Sequence, residues 1–135
     1  MLLILPVFLT IIFTIMEMGN LAFWVIVVNH ATYEVARIGA MLATPARGGE
    51  PNNVEGAMQN VMARIISGAR VESAIEPTVF DRQAGVQNHD LIVTGSHNVQ
   101  LIFPISSVIL SEPRGSGKKL IKAIVRMPIE RPLKK

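Results

Sequence analysis

Cysteine is absent from this 135-residue chain. That removes disulfides and thiolate metal sites and leaves the redox compartment open. Aromatic residues are scarce. Beyond residue 50 only Phe80 and Phe103 occur, and neither lies among the basic residues of the tail. Binding of nucleic acid calls for cations interleaved with stacking rings, so that class is set aside. The net charge of +3 comes mainly from Arg114, Lys118, Lys119, Lys122, Arg126, Arg131, Lys134 and Lys135. Charge of either sign is missing from Met1 to Met16 and, with His30 neutral, from Met18 to Tyr33. Glu17 alone interrupts this stretch.

Catalytic spacing is lacking too. "GSGKKL", Gly115 to Leu120, has Lys119 where a phosphate loop needs Ser or Thr, and a strand rather than a helix follows. It reads as a hairpin loop. His30, His89 and His97 are scattered, and the adjacent His89 and Asp90 read as a turn. No nucleophile–base pattern is visible. The expectation is a protein that is not an enzyme and has no cofactor or metal.

What is present is length of apolar chain. A spanning helix needs about 20 apolar residues, and residues 2–28 satisfy this with one violation. A secretory signal would have basic residues in front and a small-residue cleavage site behind. Here no basic residue leads, and the run passes into the amphipathic "NHATYEVARIGAMLA". One continuous helix over about residues 2–43 follows, roughly 60 Å long. That is about twice the hydrocarbon thickness, so its second half packs on something other than lipid. Pro6 sits where a missing N–H costs little. "TPARGGEP", Thr44 to Pro51, ends the helix. Glu34 and Arg37, three apart, suit a pair on a helix surface that has left the lipid.

A carboxylate buried among apolar groups is costly unless neutralised or partnered. Within residues 1–28 the other polar side chains are Thr10, Thr14 and Asn20. Thr14 and Asn20 flank Glu17 at i−3 and i+3 and could donate from a neighbouring copy. The amine of Met1 lies about 24 Å away along the same helix, so only another chain could bring one close. Two readings of Glu17 stand side by side: it sits protonated in a helix bundle or near an interface, or it meets a group of another copy and sets register between copies. Gly19 and Asn20 are the weakest point of the helix, since an interior Gly costs about 1 kcal/mol relative to Ala.

The remaining chain, 44–135, reads as a small head. Val54, Met58, Val61, Met62, Ile65 and Ile66 form a helical stripe, with Asn52 or Asn53 able to cap its start and Gly68 to end it. The period then changes to two. Val71, Ser73 and Ile75 alternate with Glu72, Ala74 and Glu76 up to Pro77, which disturbs or ends the strand. "DRQAGVQNHD" is a turn region. "LIVTG" and "VQLIFP" are a strand broken at Gly95, or two strands. "PRGSG" is a loop. In "LIKAIVRMPIE", Ile121, Ala123, Val125, Met127 and Ile129 alternate with Lys122, Ile124 and Arg126, giving a half-buried strand. The fold class is α+β: a long hydrophobic helix (1–43), then a head (44–135) with a second short helix and three to four antiparallel strands.

Four features of the N-terminus resemble the TadE-like family, pilin-like subunits of the tight-adherence branch of type IV pilus systems. They are "LP" at Leu5–Pro6, the apolar run broken by Glu17 before Met18–Gly19, "N-x-A" at Asn29 and Ala31, and "ARIGA" from Ala36 to Ala40. The family more often has Arg where Asn20 stands. Aligned on Pro6, the carboxylate of a pilin's mature start would stand just before Met1. The resemblance implies a pilin-like structural subunit that inserts in the membrane as a single-pass protein. It then polymerises through its N-terminal helix into a cell-surface filament, with Met1, Pro6, Thr14, Glu17, Gly19 and Asn20 in helix packing. The implied partners are copies of itself, other pilin-like subunits, an inner-membrane assembly platform and, before assembly, lipid. The alternative is a static, membrane-anchored component of a pilus assembly or secretion apparatus.

Overall fold

Residues 4–44, 51–82, 86–103 and 108–129 are described in the structure, a computed structural model. Helix α1 runs without a break over Ile4–Ala43, through Gly19 and Asn20. Its end is set by the chain. Thr44 precedes Pro45, and a residue before proline is pushed out of the helical region. The last carbonyls are then met from outside: Asn52 N–H donates to Ala43 O at 3.1 Å and Thr44 Oγ1 to Ala40 O at 3.1 Å.

Helix α2 spans Glu55–Ile65. Val54, not an asparagine, occupies its N-cap and provides no side-chain bond. Asn53 acts one residue earlier, its Oδ1 accepting Glu55 N–H at 3.1 Å. Gly68, at φ +78°, turns the chain into the sheet. Met58 and Met62 of the stripe are fully buried, whereas Ile65 is exposed. Gln59 joins helix to sheet. Its amide donates to Ala69 O at 3.0 Å and accepts Val71 N–H at 2.8 Å.

Strands β1 (Arg70–Asp81), β2 (Val86–Gln100) and β3 (Lys118–Pro128) form an antiparallel sheet in the order β1-β2-β3. The α+β fold expected from the sequence is the one found. The disturbance expected at Pro77 is a register shift between Pro77 and Phe80, past which β1 continues. An edge strand tolerates such a residue because no neighbour requires its N–H. β2 begins at Val86, inside the expected turn region, and passes through Gly95 without breaking.

Both helices cover one face of this sheet. The inward residues line up in cross-strand rows: Ile75–Leu91–Met127, Ser73–Val93–Val125, Val71–Gly95–Ala123 and His97–Ile121. The row through Gly95 is built of small residues because the helices press closest there. A Cβ on Gly95 would collide with Thr32 Oγ1 of α1 and crowd Met62 of α2. Gly39 is the counterpart on α1, where an added Cβ would strike the side chains of Met58 and Leu91. The opposite face of the sheet is wet. There Arg126 bridges strands, with Nε 2.7 Å from Asp90 Oδ2 and an amino nitrogen 3.6 Å from Glu76.

Candidate functional site

Helix α1 has two halves. From Val28 onward its buried residues are Val28, Ala31, Thr32, Val35, Ala36, Gly39, Ala40 and Ala43. This is the i, i+3, i+4, i+7 stripe of a helix seated on a core, with small side chains allowing close approach. Toward the N-terminus no such stripe exists. Ile4, Leu5, Val7, Phe8, Ile11, Ile15 and Met16 are all exposed large hydrophobics. On the uncovered side the apolar surface continues through Met18, Phe23, Val25 and Ile26.

Glu17 stands at the boundary and is 0% exposed. Its Oε2 accepts the N–H groups of Ile102 and Phe103, both at 3.0 Å. Asn20, one turn on, places its amide 3.5 Å from Oε1, a long contact. One turn before, Phe13 stacks on Phe103, ring centroids 4.7 Å apart and 14° from parallel. Residues 13, 17, 20 and 24 fall on one helix face. At the last of them the Trp24 ring covers His97 at 4.9 Å. Bonds from two consecutive backbone N–H groups to one carboxylate are charge-assisted. They hold the start of the β2–β3 loop against the helix.

The pairing of α1 with β2 is a ladder of opposite direction. Gly39 meets Leu91, Thr32 meets Gly95, Trp24 meets His97 and Glu17 meets Ile102. From 39 back to 17 a helix covers about 33 Å, and from 91 to 102 a strand covers about 36 Å. The two rises nearly match, which lets the long strand track the helix down to its apolar half.

Within the single chain Glu17 already has partners. The donors found lie in its own chain, 85 and 86 residues on, and they are backbone groups, which no search among side chains would find. Thr14 spends its hydroxyl on Thr10 O at 2.8 Å, as Thr10 does on Pro6 O. Such back-bonding lets hydroxyls sit in apolar surroundings, and it leaves Thr14 without the donor expected for a neighbour. Pro6 and Gly19 are exposed on α1, with nothing within 4 Å of a Cβ at Gly19. Met1 lies outside the described residues. Glu34 is half-buried and Arg37 exposed. The expected pair between them does not form; the ion pairs among the described residues are Lys119–Glu112 at 2.9 Å and those of Arg126. An exposed helical pair gains only a few tenths of a kcal/mol, too little to fix two long side chains.

Sequence reasoning missed Trp24, His97, Ile102, Phe103 and Gln59. Burial holds His97 below its ordinary value of 6.5. Its Nδ1 is buried without a hydrogen-bond partner among the described residues. The one available signal was an aromatic in a polar head: Phe103 sits in "LIFP", too apolar for a solvated loop.

Residues 1–37 match the family model for TadE-like protein. This is the resemblance carried by Leu5–Pro6, Glu17–Gly19 and the Asn29–Ala31 pattern. Neither curated proteins nor solved structures return a match. The TadE-like segment coincides with the part of α1 that includes the bare half and Glu17, and the likeness suggests a pilus-associated protein. By length and composition α1 can cross a membrane, its most apolar window having a mean hydropathy of 2.0. That is consistent with membrane anchoring.

Proposed function

We propose that this chain is a pilin-like structural subunit. It is anchored in the membrane by α1 before assembly and polymerises through the same helix into a surface filament, with the head outside. The observation that carries the reading is the asymmetry of α1. Most of Ile4 to Met16 is exposed and apolar, the head touching it at Phe13, whereas the later half is seated on the head along a continuous stripe. A helix of this kind serves in lipid and then, without change of sequence, in a core of packed helices. The TadE-like match over residues 1–37 supports the same reading. Copies of the chain, other pilin-like subunits and an inner-membrane assembly platform are its expected partners, and no nucleic acid is among them.

Negative-stain microscopy of material sheared from the cell surface tests this. Fibres containing the chain are expected. Because the chain has no cysteine, Ile15→Cys gives a single thiol on the bare half, and disulfide-linked dimers should form in those fibres. Absence of fibres with the chain retained in membranes would instead support a static, anchored component of an assembly or secretion apparatus.

A further inference from the structure

The β2–β3 loop is apolar where a loop is ordinarily solvated. Ile102 is 67% exposed, Val108 65% and Ile109 71%. The loop is closed at the end of the sheet by Leu101 N–H on Gly117 O and Glu112 N–H on Lys118 O, both 2.8 Å. The Phe13–Phe103 stack and the Glu17 bonds join its beginning to α1 at the edge of the bare half. The exposed Ile102 thus stands beside the apolar half of the helix. Cations follow in the same loop and at the start of β3. Arg114 and Lys118 are exposed, and Glu112 is engaged with Lys119. Between apolar and basic residues lies a cleft of about 270 Å³, lined by Gln100, Ile102, Ser116 and Lys118 among others.

We propose that this loop is a second membrane contact, made with an anionic phospholipid surface beside α1. Ile102, Val108 and Ile109 enter the boundary between headgroups and acyl chains. Arg114 and Lys118 take the lipid phosphates, the latter at the mouth of the cleft. Apolar side chains next to basic ones are the composition that binds such an interface, and juxtamembrane cations add to it through the surface potential. Glu17 has a positioning role here: its bonds to Ile102 and Phe103 hold the loop at the level of the helix where the bare half begins. The proposal rests on α1 being in the membrane.

The test uses the full chain in vesicles of equal parts phosphatidylcholine and phosphatidylglycerol. The absence of native cysteine permits single reporters. Ile15→Cys, Val108→Cys and Ile124→Cys each carry a polarity-sensitive fluorophore, and lipids bear quenchers at shallow or deep positions. The Ile15 label, at the level of the loop, and the Val108 label should both be quenched from the shallow position, and the Ile124 label, on the wet face of the sheet, from neither. Arg114→Gln and Lys118→Gln should each lower the fraction of loop in the bilayer about fivefold in its equilibrium, and have little effect in phosphatidylcholine alone. A Val108 label no more quenched than Ile124, with Ile15 still quenched, overturns the loop contact and leaves the anchor standing. An unquenched Ile15 label removes the anchor itself and the proposal with it. A Val108 label shielded from aqueous quencher only at high protein-to-lipid ratio shows a second copy covering the loop, and also overturns it.

Discussion

The two halves of α1 are one helix with two kinds of surroundings. The later half uses Ala31, Ala36, Gly39, Ala40 and Ala43 to approach a sheet. The earlier half uses Ile, Leu, Val, Phe and Met with nothing from its own chain against most of them. Small residues bring backbones close where a partner is fixed. Large ones present apolar area where no fixed partner from the same chain covers them. The same element is therefore a core helix at one end and a largely uncovered apolar surface at the other.

That contrast should break most sharply on side-chain truncation. Met62→Ala, in the covered region, should lower head stability by about 2–5 kcal/mol, read as a shifted denaturant midpoint in detergent. Ile15→Ala, in the bare half, should leave that midpoint in place and reduce only retention in membranes. Equal shifts for both would erase the distinction.

Gly95→Ala tests how tightly the covered half is seated. Its new methyl would meet Thr32 and Met62, and overpacking of this kind costs about 1–3 kcal/mol. Adding Thr32→Ala removes the hydroxyl it strikes and should recover part of the loss. A double variant no better than the single would place the strain elsewhere.

Glu17 tests the boundary. Glu17→Ala strands the N–H groups of Ile102 and Phe103, at about 1–3 kcal/mol. Hydrogen exchange at those two amides should rise while the amides of Val93 and Leu91 stay protected. Glu17→Gln retains an acceptor oxygen and should fall between. If all amides respond alike, Glu17 supports the whole head rather than the loop.

Acid should act next, and more weakly. The folded state holds His97 below its ordinary 6.5, so between those two values the unfolded chain binds the extra proton. Stability thus rises with pH in that window. It should fall as pH drops through about 6.5 and level off once the folded value is passed. A denaturant-midpoint profile of His97→Gln should be flatter there. The smallest effect is expected for Arg126→Ala on the wet face, at most about 1 kcal/mol and fading with added salt.

How much of this could be read from the sequence depended on whether the signal was local. Periodicity alone marked β3: Ile121, Ala123 and Ile129 are buried and Lys122, Ile124 and Arg126 exposed, as the alternation requires. The unbroken apolar run marked α1 as one helix. Gly95 misled because glycine is ambiguous in a strand. It reads as a break, yet here it makes room for Thr32. Pro77 was legible as a disturbance, and the register shift beside it is one; that β1 continues past it was not, because that depends on the edge position of the strand. Glu17 was legible as a residue in need of a partner. The partner was not legible, since backbone N–H groups carry no sequence mark and those of Ile102 and Phe103 arrive by way of the whole head.

The ladder between α1 and β2 has a mechanical consequence. A pull along the axis of α1 loads the sheet lengthwise. Its β1–β2 and β2–β3 hydrogen bonds then bear force side by side in shear, instead of opening one after another as they would when peeled. Traction on the N-terminal end reaches the Glu17 bonds first and is spread along some 35 Å of contact. The head is joined to its helix like a lap joint rather than hung from its end.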